Sequence, residues 1–139
     1  MAGYSGTPLA RKLGIREGAL VALLSAPEGF ETELEPLPDG VRLRRRLQRD
    51  LDVAVLFVAD RRRLERRFGP TAASLQPAGG LWVAWPRWSS GVATDLTENA
   101  LREVGLPAGL VDNKVCALNQ AWSGLRFVIR RENRPRPAR

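Results

Sequence analysis

Ala19-Leu20-Val21-Ala22-Leu23-Leu24 is a run without a polar side chain, preceded by Gly18 and followed by Ser25-Ala26-Pro27-Glu28-Gly29-Phe30. A strand wetted on one face alternates apolar with polar residues. An unbroken run of this length predicts a strand covered on both faces, as in the middle of a parallel sheet. Asp52-Val53-Ala54-Val55-Leu56-Phe57-Val58-Ala59 repeats the pattern. Leu81-Trp82-Val83-Ala84-Trp85, entered through Gly79-Gly80 and closed by Pro86, predicts a third buried strand. Between the first two, Val41–Leu47 sets Val41 and Leu43 on one face and Arg42 and Arg44 on the other, which reads as a further strand.

Helical signals alternate with these strands. Thr7-Pro8 opens a short helix through Leu9 and Leu13 that stops at Gly14. The acidic stretch Glu31, Glu33, Glu35 and Asp39 reads as a short helix or loop. Leu64, Phe68, Ala72 and Leu75 form a helical stripe that Gly69-Pro70 is expected to kink or split. Asp95-x-x-Glu98 has capping-box spacing ahead of Leu96, Ala100, Leu101 and Val104, and Gly105 stands where a left-handed cap belongs. Val111–Leu118 and Leu125–Arg131, joined only by Asn119–Gly124, predict an antiparallel pair. The expectation is one Rossmann-like α/β domain over residues 1–131. It is a three-layer sandwich of about six strands, mostly parallel, ending in an antiparallel hairpin. Residues 132–139, rich in Pro and Arg, are expected to be a disordered basic tail.

Composition narrows the chemistry. The chain has 139 residues, 44% hydrophobic and 27% charged, with 22 basic against 15 acidic residues and a net charge of +7. Histidine is absent and Cys116 is the sole cysteine. A Ser-His-Asp or Cys-His pair, a Cys/His zinc cluster, an intramolecular disulfide and a histidine general base are thereby excluded. Met1-Ala2-Gly3-Tyr4-Ser5-Gly6 lacks the early positive charge and apolar core of a signal peptide. No apolar run approaches the ~20 residues that cross a bilayer. A cytoplasmic protein without a membrane partner is expected.

From Asp52 onward the element order resembles the back half of a class I methyltransferase-like Rossmann fold. An Asp-led strand is followed by a helix, a Gly-Gly strand, a helix ending in Val104-Gly105-Leu106, and a closing hairpin. At finer grain the chain resembles a small uncharacterised bacterial family, the domain-of-unknown-function family numbered 3052. The stretches that carry this likeness include Gly6-Thr7-Pro8-Leu9-Ala10, Ala26-Pro27-Glu28-Gly29-Phe30, Leu81-Trp82-Val83-Ala84-Trp85-Pro86, Thr94-Asp95-Leu96-Thr97-Glu98, Gly109-Leu110-Val111-Asp112, Lys114-Val115-Cys116-Ala117 and Trp122-Ser123-Gly124-Leu125. A basic pair often follows the family's Trp-Pro; Arg87 fits that pattern and Trp88 departs from it. The resemblance implies a fold and carries no activity.

Three sites compete. A nucleotide-type cofactor is cradled where the first strand turns into a helix through several glycines. This turn offers Gly29 alone, Pro27 removes a donor, and Glu28 repels phosphate. The second strand ends in Arg44-Arg45-Arg46 rather than in an acid that grips ribose hydroxyls, an arrangement that could accept a 2′-phosphate. No cofactor is therefore expected, with a methyltransferase-like or NADP-type enzyme as an alternative. Arginine clusters, Arg44, Arg45 and Arg46 foremost, make a nucleic-acid-binding protein another alternative, with weak non-specific contact expected. Yet all but Lys12 and Lys114 of the 22 basic residues are arginine, a bias that a GC-rich genome produces regardless of function. The third site is the crevice at the carboxyl ends of the strands, where open α/β sheets place ligands. There Pro27, Glu28, Gly29 and Phe30 would face Trp85, Pro86, Arg87, Trp88, Ser89, Ser90 and Gly91. Asp95 reads as a helix cap and Cys116 as a buried inert thiol. Trp82 and Trp85, three apart, should point to opposite faces. The leading expectation is a non-catalytic binding or regulatory module presenting these two loops to a small ligand or protein partner.

Overall fold

Four parallel strands and a C-terminal hairpin form one six-stranded sheet in the order β2-β1-β3-β4-β6-β5. The structure, a computed structural model, describes residues 6–135. The strands are β1 (Leu20–Leu24), β2 (Arg42–Arg44), β3 (Leu51–Phe57), β4 (Leu75–Pro86), β5 (Leu110–Ala117) and β6 (Trp122–Ile129). The helices are α1 (Leu9–Lys12), α2 (Phe30–Glu33), α3 (Arg61–Ala73) and α4 (Glu98–Gly105). β2, β1, β3 and β4 pair in parallel, whereas β4–β6 and β6–β5 pair antiparallel. The mixed α/β Rossmann-like sheet expected from the apolar runs is the one observed. No helix among the described residues is long and apolar enough to cross a membrane.

Alternating strand residues feed two cores. On one face Leu64, Phe68 and Ala72 of α3 and Ala100 and Leu101 of α4 cover Ala22, Leu24, Ala54, Leu56, Leu81, Val83 and Trp85. Phe68 meets Phe127 edge-on at 5.2 Å. On the other face Leu13, Ile15, Phe30 and Leu34 cover Val21, Leu23, Val53, Val55 and Trp82. Phe57 takes Phe30 and Trp122 edge-on at 4.9 and 5.1 Å. Trp82 and Trp85 do point to opposite faces, and both are buried.

Several local expectations are corrected. Gly69-Pro70 does not split α3, which runs unbroken to Ala73. Arg66 and Pro70 both lie on the exposed side, so the carbonyl deprived of its donor faces water, while buried Phe68, Thr71 and Ala72 hold the turn to the sheet. Asp95 does not cap α4: Thr97 does, its hydroxyl accepting from Ala100 N at 3.1 Å. Asp95 Oδ1 instead accepts from Arg61 N at 2.8 Å, beside Asp60 Oδ1 on Arg63 N at 2.8 Å, so two acids cap α3. Gly105 is the last residue of α4 and not a left-handed cap; its role is room, because a Cβ would stand 2.4 Å from the Phe127 ring. β4 starts at Leu75, its register slipping against β3 between Leu51 and Val53. Gly79 permits that slip, since a Cβ there would meet Leu51 O at 2.6 Å. β2 is reduced to three rungs at the sheet edge. Arg131–Asn133 form a 3-10 turn, and Asn133 Nδ2 and Arg134 Nε donate to Gly109 O and Ile129 O. The chain from 132 to 135, expected as tail, is thus tied to the domain; residues 136–139 lie outside the described residues. Cys116 is half-buried rather than buried, and that burial raises its thiol pKa.

Candidate functional site

β2 and β3 leave opposite sides of β1, so the switch point of the sheet lies at the carboxyl ends of β1 and β3. The chain leaves β1 at Ser25, whose φ of 57° is left-handed, a conformation non-glycine residues adopt at a cost. Its hydroxyl accepts from Arg67 Nη1 of α3 at 2.6 Å. Gly29, at φ 82°, supplies the left-handed step into α2, which is a single turn. Arg45, just past β2, is ion-paired with Glu31 of α2. Over β3, Thr94 Oγ1 donates to Ala59 O at 2.6 Å, and Asp60 and Asp95 occupy the N-terminal donors of α3. The protein's own side chains bond across the rim of the switch point: Arg67 on the first loop, the two acids on the helix end.

The predicted site residues divide into two groups. Phe30 and Trp85 are 1% and 8% exposed and Pro86 is also buried, so these three belong to the core and cannot touch a ligand from outside. Pro27 is half-buried, whereas Glu28 and Gly29 are exposed. Arg87 and Ser90 are half-buried, and Ser89 and Gly91 exposed. Trp88 is 97% exposed. β3 lies between β1 and β4, so the two loops leave strands about 10 Å apart and flank one strand end.

The turn after β4 is ordered by its own bonds. Ser90 N donates to Arg87 O at 2.9 Å, Gly91 closes it at φ 77°, and Val92 N donates to Ser90 Oγ at 3.1 Å. Arg87 anchors the base: its backbone N donates to Ala121 O at 2.8 Å and its Nη1 to Asn119 O at 3.1 Å. Asn119 Nδ2 in turn donates to Glu33 Oε1 at 3.0 Å. Arg87, Asn119 and Glu33 line a cavity of about 580 Å³ together with Leu9, Lys12 and Glu35. Trp88 stands outside that cavity. Arg44, Arg45 and Arg46 are all exposed, but Arg45 is held by Glu31 and Arg44 Nη1 donates to Leu43 O. Among the described residues no cluster of acids and cysteine is arranged to hold a metal ion.

Sequence reasoning missed Arg67, which closes the first loop, and the true partner of Asp95. The bonds they make span 42 and 34 residues, and nothing in local spacing signals them.

No family model and no curated protein matches the chain. Solved structures do. One similar structure is a SAM-dependent methyltransferase from Aquifex aeolicus, at TM-score 0.63 and 12% identity, covering 87% of this chain and 88% of that one. Another is a precorrin-6y C5,15-methyltransferase from Geobacter metallireducens, at 0.59 and 11%, covering 88% and 86%. A third is described as a possible exported protein from Bordetella parapertussis, at 0.62 and 14%, covering 87% of this chain and 65% of that one. The chain thus spans just under two thirds of the Bordetella protein and most of the two methyltransferase chains. At these identities the likeness is one of fold: a class I methyltransferase-like Rossmann sheet.

Proposed function

We propose that this chain is a non-catalytic recognition module on a methyltransferase-type scaffold, with the Arg87–Gly91 turn as its contact surface for a protein partner. One observation carries the reading: an indole 97% exposed on a turn that Arg87 anchors at its base and that Ser90 closes on itself. A small molecule needs a concavity, and Trp88 lines none of those described above. A protruding aromatic on a rigid base instead suits insertion into a partner's pocket, the arrangement typical of binding hot spots. Pro27, Glu28 and Gly29 are a second, lesser contact on the other side of β3. Affinity capture from the source cell, with wild-type and Trp88→Ala proteins as bait, tests this. The expected result is a stoichiometric partner lost with Trp88→Ala; a partner retained by that variant overturns the reading.

The second reading is a SAM-dependent methyltransferase. The solved neighbours support it further than they support the first, since two of those described are named as methyltransferases and align over most of this chain. This chain's own residues do not fit the cofactor. Pro27 offers no backbone donor, Gly29 is the sole glycine of the turn, Arg67 occupies Ser25, and β2 runs into Arg44-Arg45-Arg46 where a ribose-binding acid is needed. Calorimetry with S-adenosylmethionine and with NADPH discriminates: saturable micromolar binding of either promotes the enzyme reading. Nucleic acid, through the exposed Arg44 and Arg46, is expected to bind weakly and to be displaced by moderate salt.

A further inference from the structure

A larger cavity, about 770 Å³, opens on the α1 side of the sheet. It lies towards the amino ends of the strands. Asp39, next to its Pro36-Leu37-Pro38 wall, is bonded through its carbonyl to Gly18 N just ahead of β1, and Arg126 reaches it from beside Gly80 in the first half of β4. Among the described residues five cations line it, Arg11, Lys12, Arg16, Lys114 and Arg126, against one carboxylate, Glu17. Such an excess in a concave site needs a reason, because clustered like charges repel.

Arg126 is, with Lys12, one of its two half-buried cations. It is half-buried and lies against Gly80, where a Cβ would meet its Nε at 2.6 Å and its Nη2 at 2.8 Å. Glycine at 80 is what lets the guanidinium rest on the strand. Its bond to Asn113 Oδ1 is long, at 3.4 Å, and among the described residues no carboxylate forms an ion pair with it. Burial lowers its pKa, and Arg134 adds to that effect. Lys114 stands directly opposite Arg126 across β5 and β6. Like charges so placed destabilise a sheet unless an anion joins them. Lys12 completes the group from α1, lining the same cavity as Lys114 and Arg126.

We propose that this cavity binds a small organic phosphate. Arg126, Lys114 and Lys12 hold the phosphate, and the Pro36-Leu37-Pro38 wall takes the organic body. The volume falls within the range of small-molecule sites, about 300–1,000 Å³. Nucleic acid is the poorer occupant, because a polymer needs a continuous basic track and these cations surround one hollow. The site lies away from the Trp88 turn and does not depend on it.

The test is calorimetry of the full chain with inorganic tripolyphosphate, and separately with a single-stranded DNA oligomer, at physiological salt. Saturable tripolyphosphate binding at one site is expected, weakened about tenfold by Lys114→Gln, the scale of a lost charge-assisted contact. Gly80→Ala, which keeps the net charge and displaces only the Arg126 head group, should weaken it comparably. Arg62→Gln and Arg66→Gln remove charge from the exposed side of α3 and should change it less than about twofold, since distant surface charges are screened. Melting curves of each variant establish that it is folded; Lys114 is exposed on an edge strand and tolerates replacement. The proposal is overturned by an absence of saturation, by Arg62→Gln weakening binding as much as Lys114→Gln, by a folded Gly80→Ala that binds like wild type, or by the oligomer binding more tightly than tripolyphosphate.

Discussion

The two faces of the sheet are covered very differently. On one, α3 with 13 residues and α4 with 8 lie across the strands, about 20 and 12 Å long. On the other, α1 and α2 have four residues each, about 6 Å, and the remaining cover is loop. A single turn cannot span a 12-residue strand such as β4, roughly 40 Å of chain. The thin face consequently keeps two hollows, of about 770 and 580 Å³, that share Pro8 and Lys12. The thick face has a smaller hollow of about 520 Å³ beside α4, lined by Asn99, Arg102, Glu103, Leu106 and Pro107. The two larger of these hollows thus lie on the thin side.

The comparison breaks most sharply at Trp82. It is wholly buried under the thin face, and its Nε1 donates to Leu13 O at 3.0 Å, tying the chain just after α1 to β4. Trp82→Ala should cost about 3–5 kcal/mol in a denaturant melt. It should also speed amide exchange in residues 9–15 selectively, because the tie to Leu13 is lost. Gly105→Ala is its counterpart on the thick face, where the new methyl meets the Phe127 ring; the expected cost is about 1–3 kcal/mol. Exchange in residues 9–15 should not change in that variant. If both variants loosen α1 equally, the two layers are one cooperative unit and the division is wrong.

How far the sequence announced this follows from the range of each interaction. The apolar runs at Ala19–Leu24 and Val53–Ala59 revealed parallel strands because burial on both faces leaves no room for alternation. The hairpin and the opposition of Trp82 and Trp85 were equally legible, being matters of spacing within one segment. Gly105 was read for its backbone, but its meaning lay in Phe127, twenty-two positions on and in another strand. Asp95 looked like a cap for the helix that follows it and serves the one before. Of the loop residues singled out, Trp88 is as exposed as its Ser-Ser-Gly setting implied, whereas Phe30 and Pro86 are interior. Nothing local distinguishes a loop-edge aromatic that folds back under Phe57 from one that does not. The basic cavity was illegible altogether, since Lys12, Lys114 and Arg126 converge only after the sheet has formed.

Caps on the thick face come next in size. Asp60→Ala and Asp95→Ala each remove a carboxylate from an N-terminal amide of α3, and each should cost about 1 kcal/mol. Asp95→Ala should also free the 91–96 segment from α3, visible as faster amide exchange in that segment. A double variant no worse than either single one would mean that the two acids act as one cap.

The smallest effect on stability is expected at Trp88, which belongs to neither face. Its indole is 97% exposed, and the turn that carries it is held by Arg87, Ser90 and Gly91 rather than by the ring. Trp88→Ala should shift unfolding free energy by no more than about 0.5 kcal/mol, the range of surface substitutions away from structural features. It should likewise leave tripolyphosphate binding unchanged, because Trp88 lines neither hollow. The contrast with Trp82 is then nearly the whole energy of a buried tryptophan, on the same strand and its exit. A Trp88→Ala protein that melts as early as Trp82→Ala would place the indole in a core, remove the contact surface proposed for a partner, and leave the thin face alone as the functional side.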